Sequence, residues 1–227
     1  MLRACVLAAV CCGQADAIPA APASTAPAKT DGGVKGNAEA GRIKAESERC
    51  LECHGQPGVE QGHSAGEDGK FARLGGQQHA YIVKQVQDFR AGRRKNDFMV
   101  MMAASVSDDD VADIAAYFAA QPAMPAAIRA ETRGESRSAG QHGPAAALFR
   151  QGDAARKVAA CATCHGAAGE GIAGMAPVIG GQGRRYLSQQ LHNWRSGERS
   201  NGAGMREAAA SLTDAEIDAL ALYVSEM

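Results

Sequence analysis

Two five-residue frames, CLECH at 50–54 and CATCH at 161–165, each place two cysteines three apart with a histidine directly after the second, and they stand 111 positions apart. Thiols at that spacing share one helical turn, so both sulfurs can add to two vinyl groups on the edge of a planar macrocycle. The histidine next in line can then offer a neutral imidazole nitrogen to a central iron. The pattern predicts one covalently attached haem c at each frame, held by Cys50 and Cys53 with His54 on the iron, and by Cys161 and Cys164 with His165 on the iron. A zinc site needs four ligands gathered together, and each frame supplies three. Two disulfides would leave both histidines unexplained.

The chemistry open to each iron depends on its second axial position. A protein side chain there restricts the site to passing electrons, whereas an open position admits peroxide or oxygen chemistry. The chain repeats itself, and the repeat nominates Met99 and Met205: each stands seven residues before an apolar residue, Val106 or Leu212, that precedes a final helix. Thioether sulfur is a soft, weak ligand that favours ferrous iron. Met101 and Met102 compete with Met99, and they, Met124 and Met175 otherwise read as gap-fillers of a core. His63, His79, His142 and His192 have no equivalents between the halves, which disfavours bis-histidine centres.

These residues are carried by a tandem repeat. LGGQQHAY (74–81) leads into IVKQVQDFRAGRRKN, and IGGQGRRY (179–186) into LSQQLHNWRSGERSN. Gly75 to Tyr81 and Gly180 to Tyr186 both span six positions, and Tyr81 to Asn96 and Tyr186 to Asn201 both span fifteen. Registers kept this closely mark two homologous lobes. Ile82, Val86 and Phe89, like Tyr186, Gln190, Leu191 and Trp194, recur at helical intervals, with Gly92 and Gly197 as stops. Thr213 with Glu216 predicts a capping box and Ser107 with Asp110 a weaker one, each ahead of an apolar face. No segment alternates as a strand does, so the expected fold class is all-α. Aromatic residues are only 4% of the chain. A lobe of roughly 85 residues therefore needs a large apolar disc to complete its interior.

Outside the lobes, residues 1–17 carry a basic start, an apolar run from Ala4 to Cys12 and an Ala15-Asp16-Ala17 cleavage site, the pattern of an export signal that removes Cys5, Cys11 and Cys12. The expected order is then a tether at 18–37, a first domain at 38–121, a linker at 122–141 and a second domain at 142–227. A net charge of −1 gives no field for nucleic acid, and the apolar run is too short to span a bilayer. Arg90, Arg93, Arg94, Lys95, Arg185, Arg195 and Arg199 gather at the ends of the Tyr-led helices. There they would complement helix dipoles, pair with haem propionates or face an acidic partner.

The paired CxxCH frames, the doubled GGQ (75–77 and 180–182), the helices ending DFRAGRRKN and NWRSGERSN, and the two methionines resemble the dihaem cytochrome c4 family from about Asn37 onward. The resemblance implies two tandem class I cytochrome c folds, with His54 and Met99 on one iron and His165 and Met205 on the other. It implies an electron carrier of the periplasm, often associated with the membrane, that delivers to a terminal oxidase. The function expected first is a monomeric dihaem shuttle between a quinol-oxidising complex and a terminal oxidase or reductase. The alternative is an electron-accepting subunit of a periplasmic dehydrogenase that uses flavin or oxidises sulfur compounds, and after it a haem enzyme with an open site. No catalytic acid, base or nucleophile constellation stands out. One position departs from the family pattern. The proline whose carbonyl accepts the proximal histidine's hydrogen bond is Pro177 in the second half and Ala72 in the first, which predicts a less rigidly held His54. The first half also carries six extra residues between His54 and Gly75, read as a surface loop in QPGVEQGHSAGEDGK.

Overall fold

A computed structural model describes residues 36–55, 69–122, 143–202 and 204–227. The expected leader, most of the expected tether and linker, most of the Gly-rich run after His54, and His63, Met124 and His142 lie outside the described residues.

The first half contains α1 (Ala38–Ser47), α2 (Cys50–His54), α3 (His79–Arg90), α4 (Asp97–Ser105) and α5 (Asp108–Ala119). The second contains α6 (Gly143–Gln151), a 3-10 turn (Ala154–Arg156), α7 (Ala162–His165), α8 (Arg184–Ser196), α9 (Met205–Ala210) and α10 (Asp214–Ser225). Among the described residues the only β pairing is two isolated antiparallel bridges, Asp153 with Val158 and Ile172 with Ala176. The all-α expectation therefore holds for the described residues.

Caps start the helices where the sequence places them. Asn37 accepts the Glu39 and Ala40 N–H groups at the head of α1. Thr213 with Glu216 and Ser107 with Asp110 both form complete reciprocal capping boxes, so the second is no weaker in kind than the first. Gly92 and Gly197 adopt left-handed φ values of 69° and 79° after α3 and α8, where a side chain would strain the turn.

Each half has its own apolar cluster. α1 and α3 pack on α5 around Ala45, Leu51, Ile82, Ile114 and Phe118. α8 packs on α9 and α10, and α6 on α10, around Phe149, Leu187, Trp194, Ile217 and Leu220. α1 lies so close to α5 that a Cβ on Gly41 would overlap the Asp113 carbonyl. The second glycine of each GGQ fastens the segment after CxxCH to the last helix. Gly76 donates to Phe118 O at 2.9 Å and Gly181 to Val224 O at 3.0 Å, both with φ in the left-handed region.

Candidate haem-binding site

Each CxxCH frame is a short helix stopped by glycine. α2 ends at Gly55 (φ 81°) and α7 at Gly166 (φ 82°), which leaves the histidine as the last helical residue. His54 Nδ1 lies 2.7 Å from the carbonyl oxygen of Ala72, and His165 Nδ1 lies 2.9 Å from that of Pro177. A carbonyl can only accept, so Nδ1 carries the proton in both rings and Nε2 is the free lone pair, the tautomer a metal ligand needs. Burial pushes both imidazoles below their ordinary pKa, and the nearby Arg94 charge adds to this at His54. Both groups thus favour the neutral ring. The Ala72 bond is no longer than its proline counterpart.

The thiols of Cys50 and Cys161 sit half-buried against the two apolar clusters. Burial pushes both up to about 11. Cys53 is half-buried and Cys164 exposed. Among the described residues no three His, Cys, Asp or Glu side chains converge where a bare metal ion could sit, so the two frames are not brought together as one zinc site.

Met205 opens α9 and packs with Cys161 against the same second cluster. Met99 lies in the first turn of α4, half-buried, with its N–H donated to the Asn96 side chain at 2.9 Å. Met101 and Met175 do not fill core gaps, as their composition suggests; they are 59% and 65% exposed. Met102 is half-buried. His79 donates to the Ala112 carbonyl, and His192 Nδ1 accepts from Arg195.

The lobes meet along a seam built from the repeat itself, and its bonds come in matched pairs. Arg94 donates to Gln85 of its own lobe at 2.8 Å and, across the seam, to Tyr186 at 3.0 Å and Gln190 at 3.2 Å. Arg199 donates to Gln190 at 2.7 Å and, across the seam, to Tyr81 and Gln85, both at 3.1 Å. Each guanidinium stacks on an aromatic ring, Arg94 over Phe89 and Arg199 over Trp194. Asn201 adds bonds to Gln85 and to Asp88, a carboxylate already held by Lys84 and Arg93. Although burial opposes ionisation of Tyr186, the charges of Arg94 and Arg199 hold its phenol below the ordinary range.

Arg94 and Arg199 are therefore neither solvated helix ends nor partner-facing charges; they are 9% and 6% exposed. Arg90 and Arg195 are engaged too. They bind the carbonyls of Ala103 and Val106, and of Leu212, and pair with Asp108 and Asp214 at the heads of the last helices.

This donor set fits haem. Two CxxCH frames present free imidazole nitrogens. Between the lobes, two buried guanidinium cations are bonded to neutral amides and phenols, so anionic groups such as propionates would balance them. The sequence reading named Arg94, Arg199, Tyr81 and Tyr186, with propionates among the arginines' candidate partners, but not the bonds they make across the seam. Their signal was the repeat register, with Tyr, Gln and Arg recurring at 81, 85 and 94 and at 186, 190 and 199. Nothing local in those residues shows that they face one another.

A Cytochrome c family model matches residues 149–227. Cytochrome c4 of Thiocapsa roseopersicina is 38% identical over 195 residues, covering 83% of this chain and 92% of that protein. A thiosulfate dehydrogenase electron acceptor of Stutzerimonas stutzeri (strain A1501) is 36% identical over 181 residues, 78% of each chain. Among solved structures, reduced recombinant cytochrome c4 from Pseudomonas stutzeri superposes with a TM-score of 0.70 at 33% identity, over 85% of this chain and 99% of that one.

Proposed function

The chain belongs to the cytochrome c4 family and carries two covalently bound haem c groups, and on that premise we propose that it shuttles electrons in the periplasm between a quinol-oxidising complex and a terminal oxidase or reductase. Bound haem supplies one-electron iron chemistry. In this reading Cys50 and Cys53, and Cys161 and Cys164, form the thioether attachments. His54 and His165 are proximal ligands and Met99 and Met205 distal ones, which closes both irons to substrates. The carrying observation is the doubled proximal arrangement: twice in one chain a histidine gives its Nδ1 proton to a backbone carbonyl, Ala72 or Pro177, and keeps Nε2 for a metal. The seam between the halves supports electron exchange within one molecule.

Among the described residues no helix is long and apolar enough to cross a membrane. The periplasmic location rests on the export pattern at 1–17. A spectroelectrochemical titration tests the function. Two haems per polypeptide, two one-electron waves and slow carbon monoxide binding are expected; rapid carbon monoxide binding at both irons with turnover of peroxide would replace the carrier with an enzyme.

A second reading has its own support in the thiosulfate dehydrogenase electron acceptor relative: the chain accepts electrons from a sulfur-compound dehydrogenase. Reduction of the purified protein by such an enzyme and thiosulfate, faster than by a quinol-oxidising complex, would select it.

A further inference from the structure

The glutamine of each GGQ reaches into the opposite lobe and binds both backbone groups of a single residue there. Gln182 Oε1 accepts the Arg73 N–H at 2.9 Å while its Nε2 donates to the Arg73 carbonyl at 2.7 Å. Gln77 Oε1 accepts the Val178 N–H at 3.0 Å while its Nε2 donates to the Val178 carbonyl at 2.9 Å. Gln77 Oε1 also accepts the N–H of Gln78. Arg73 further donates through its guanidinium to the Gly181 carbonyl, which pins the same segment.

The residues so held follow directly after Ala72 and Pro177. The Ala72 carbonyl and the Arg73 N–H belong to one peptide group, as do the Pro177 carbonyl and the Val178 N–H. His54 therefore donates to one end of a peptide whose other end donates to Gln182, and His165 to one end of a peptide whose other end donates to Gln77. Hydrogen bonds in series polarise one another, and burial strengthens the effect; Gln77 and Gln182 are 4% and 7% exposed. An N–H drawn toward an acceptor makes its own carbonyl a better acceptor. The imidazole proton is then drawn further from the ring, and the ring becomes a more basic ligand that favours ferric iron.

We infer that each lobe's proximal histidine is tuned by the glutamine of the other lobe through one shared peptide group: His54 by Gln182, and His165 by Gln77. The crossing gives each iron a dependence on the partner lobe that its own lobe cannot supply. The inference rests on His54 and His165 being the proximal ligands.

The test uses reduced holoprotein with 15N-labelled histidine, reading the ring Nδ1–H resonances of His54 and His165 by NMR and the potential of each haem by following those signals through a redox titration. Gln182→Met is expected to move the His54 N–H upfield and raise the first haem's potential while leaving His165 in place. Gln77→Met is expected to do the converse. Gln182→Asn, one methylene shorter, should shift His54 in the same direction and serves if the methionine variant does not fold. Asn201→Ala loosens the seam at Gln85 and Asp88 without touching either chain of bonds, so neither ring resonance should move. A Gln182 substitution that moves His165, both rings equally or neither would overturn the relay, as would an Asn201→Ala shift at His54 of equal size. Absence of two imidazole N–H signals displaced by the porphyrin ring current in the reduced, unmodified protein would overturn the ligation and the relay together, whereas signals present but unmoved overturn the relay alone.

Discussion

Arg94 donates to the phenol oxygen of Tyr186 at 3.0 Å across 92 positions of chain, and its repeat counterpart Arg199 donates to Tyr81 at 3.1 Å across 118. The two bonds cross the seam in opposite directions, so neither lobe completes its own arginine site. A buried guanidinium that loses its place cannot simply turn to water, and the amides and phenols it held lose a charged donor.

Arg94→Met should therefore act on the fold. The expected loss is about 3 kcal/mol, the scale for removing hydrogen bonds to a buried charge, read by guanidinium unfolding of the holoprotein. The ionic-strength dependence of electron transfer to a partner should stay as it was, since the residue presents little charge to solvent. An unchanged unfolding midpoint with an altered salt dependence would restore Arg94 as a docking charge.

Gly41→Ala tests the contact between α1 and α5. The added methyl would come within 1.9 Å of the Asp113 carbonyl oxygen, a backbone atom rather than the end of a flexible side chain. Overpacking of this kind costs about 1–3 kcal/mol, and the loss should appear in the first lobe's unfolding. Gly92→Ala, whose Cβ would meet open space, should cost only the strain of a left-handed alanine, about 1 kcal/mol. Equal losses at the two positions would count against this packing.

Acid should weaken the second lobe through Glu216. Its carboxyl is held down to about 2 from an ordinary 4.5, chiefly by hydrogen bonding to Arg156 and then to the Thr213 N–H. A depressed folded-state pKa contributes stability that is complete above the unfolded value and lost as pH falls through the folded one. The loss should accordingly run from pH 4.5 down to about 2. Glu216→Gln should lower Tm at neutral pH, and its gap from the unmodified protein should close at the acid end of that window. A gap of constant size down to the lowest pH would dismiss the pairing as the cause.

Met99→Leu and Met205→Leu should each remove one half of the ferric band that arises from sulfur-to-iron charge transfer, and together all of it. Met101→Leu, at a position 59% exposed, should leave the band intact. Loss of half the band in Met101→Leu with retention in Met99→Leu would reassign the first distal ligand.

Local chemistry was legible in the chain because it is written in short spacings. Cysteines three apart with a histidine after them share one turn, Thr213 and Glu216 close a cap within four residues, and the glycines after α3 and α8 stand where left-handed backbone is needed. Internal duplication exposed the two-lobed plan for the same reason, since register survives in sequence. At Ala72 the histidine's bond forms without proline, at 2.7 Å against 2.9 Å in the second half. The glutamine that clamps the next residue arrives from 109 positions away, as Gln77 reaches Val178 across 101 in the other half, and no window around either site contains it.

Which faces meet is a matter of tertiary packing, and the roles of the arginines followed from it. Seven basic residues near helix ends look alike as a list, yet Arg94 and Arg199 are buried in the seam while Arg90 and Arg195 anchor the final helices. A side chain's partners depend on surfaces brought together from both halves of the chain. Spacing encodes what one turn of backbone can do, and docking of the two lobes assigns everything that reaches between them.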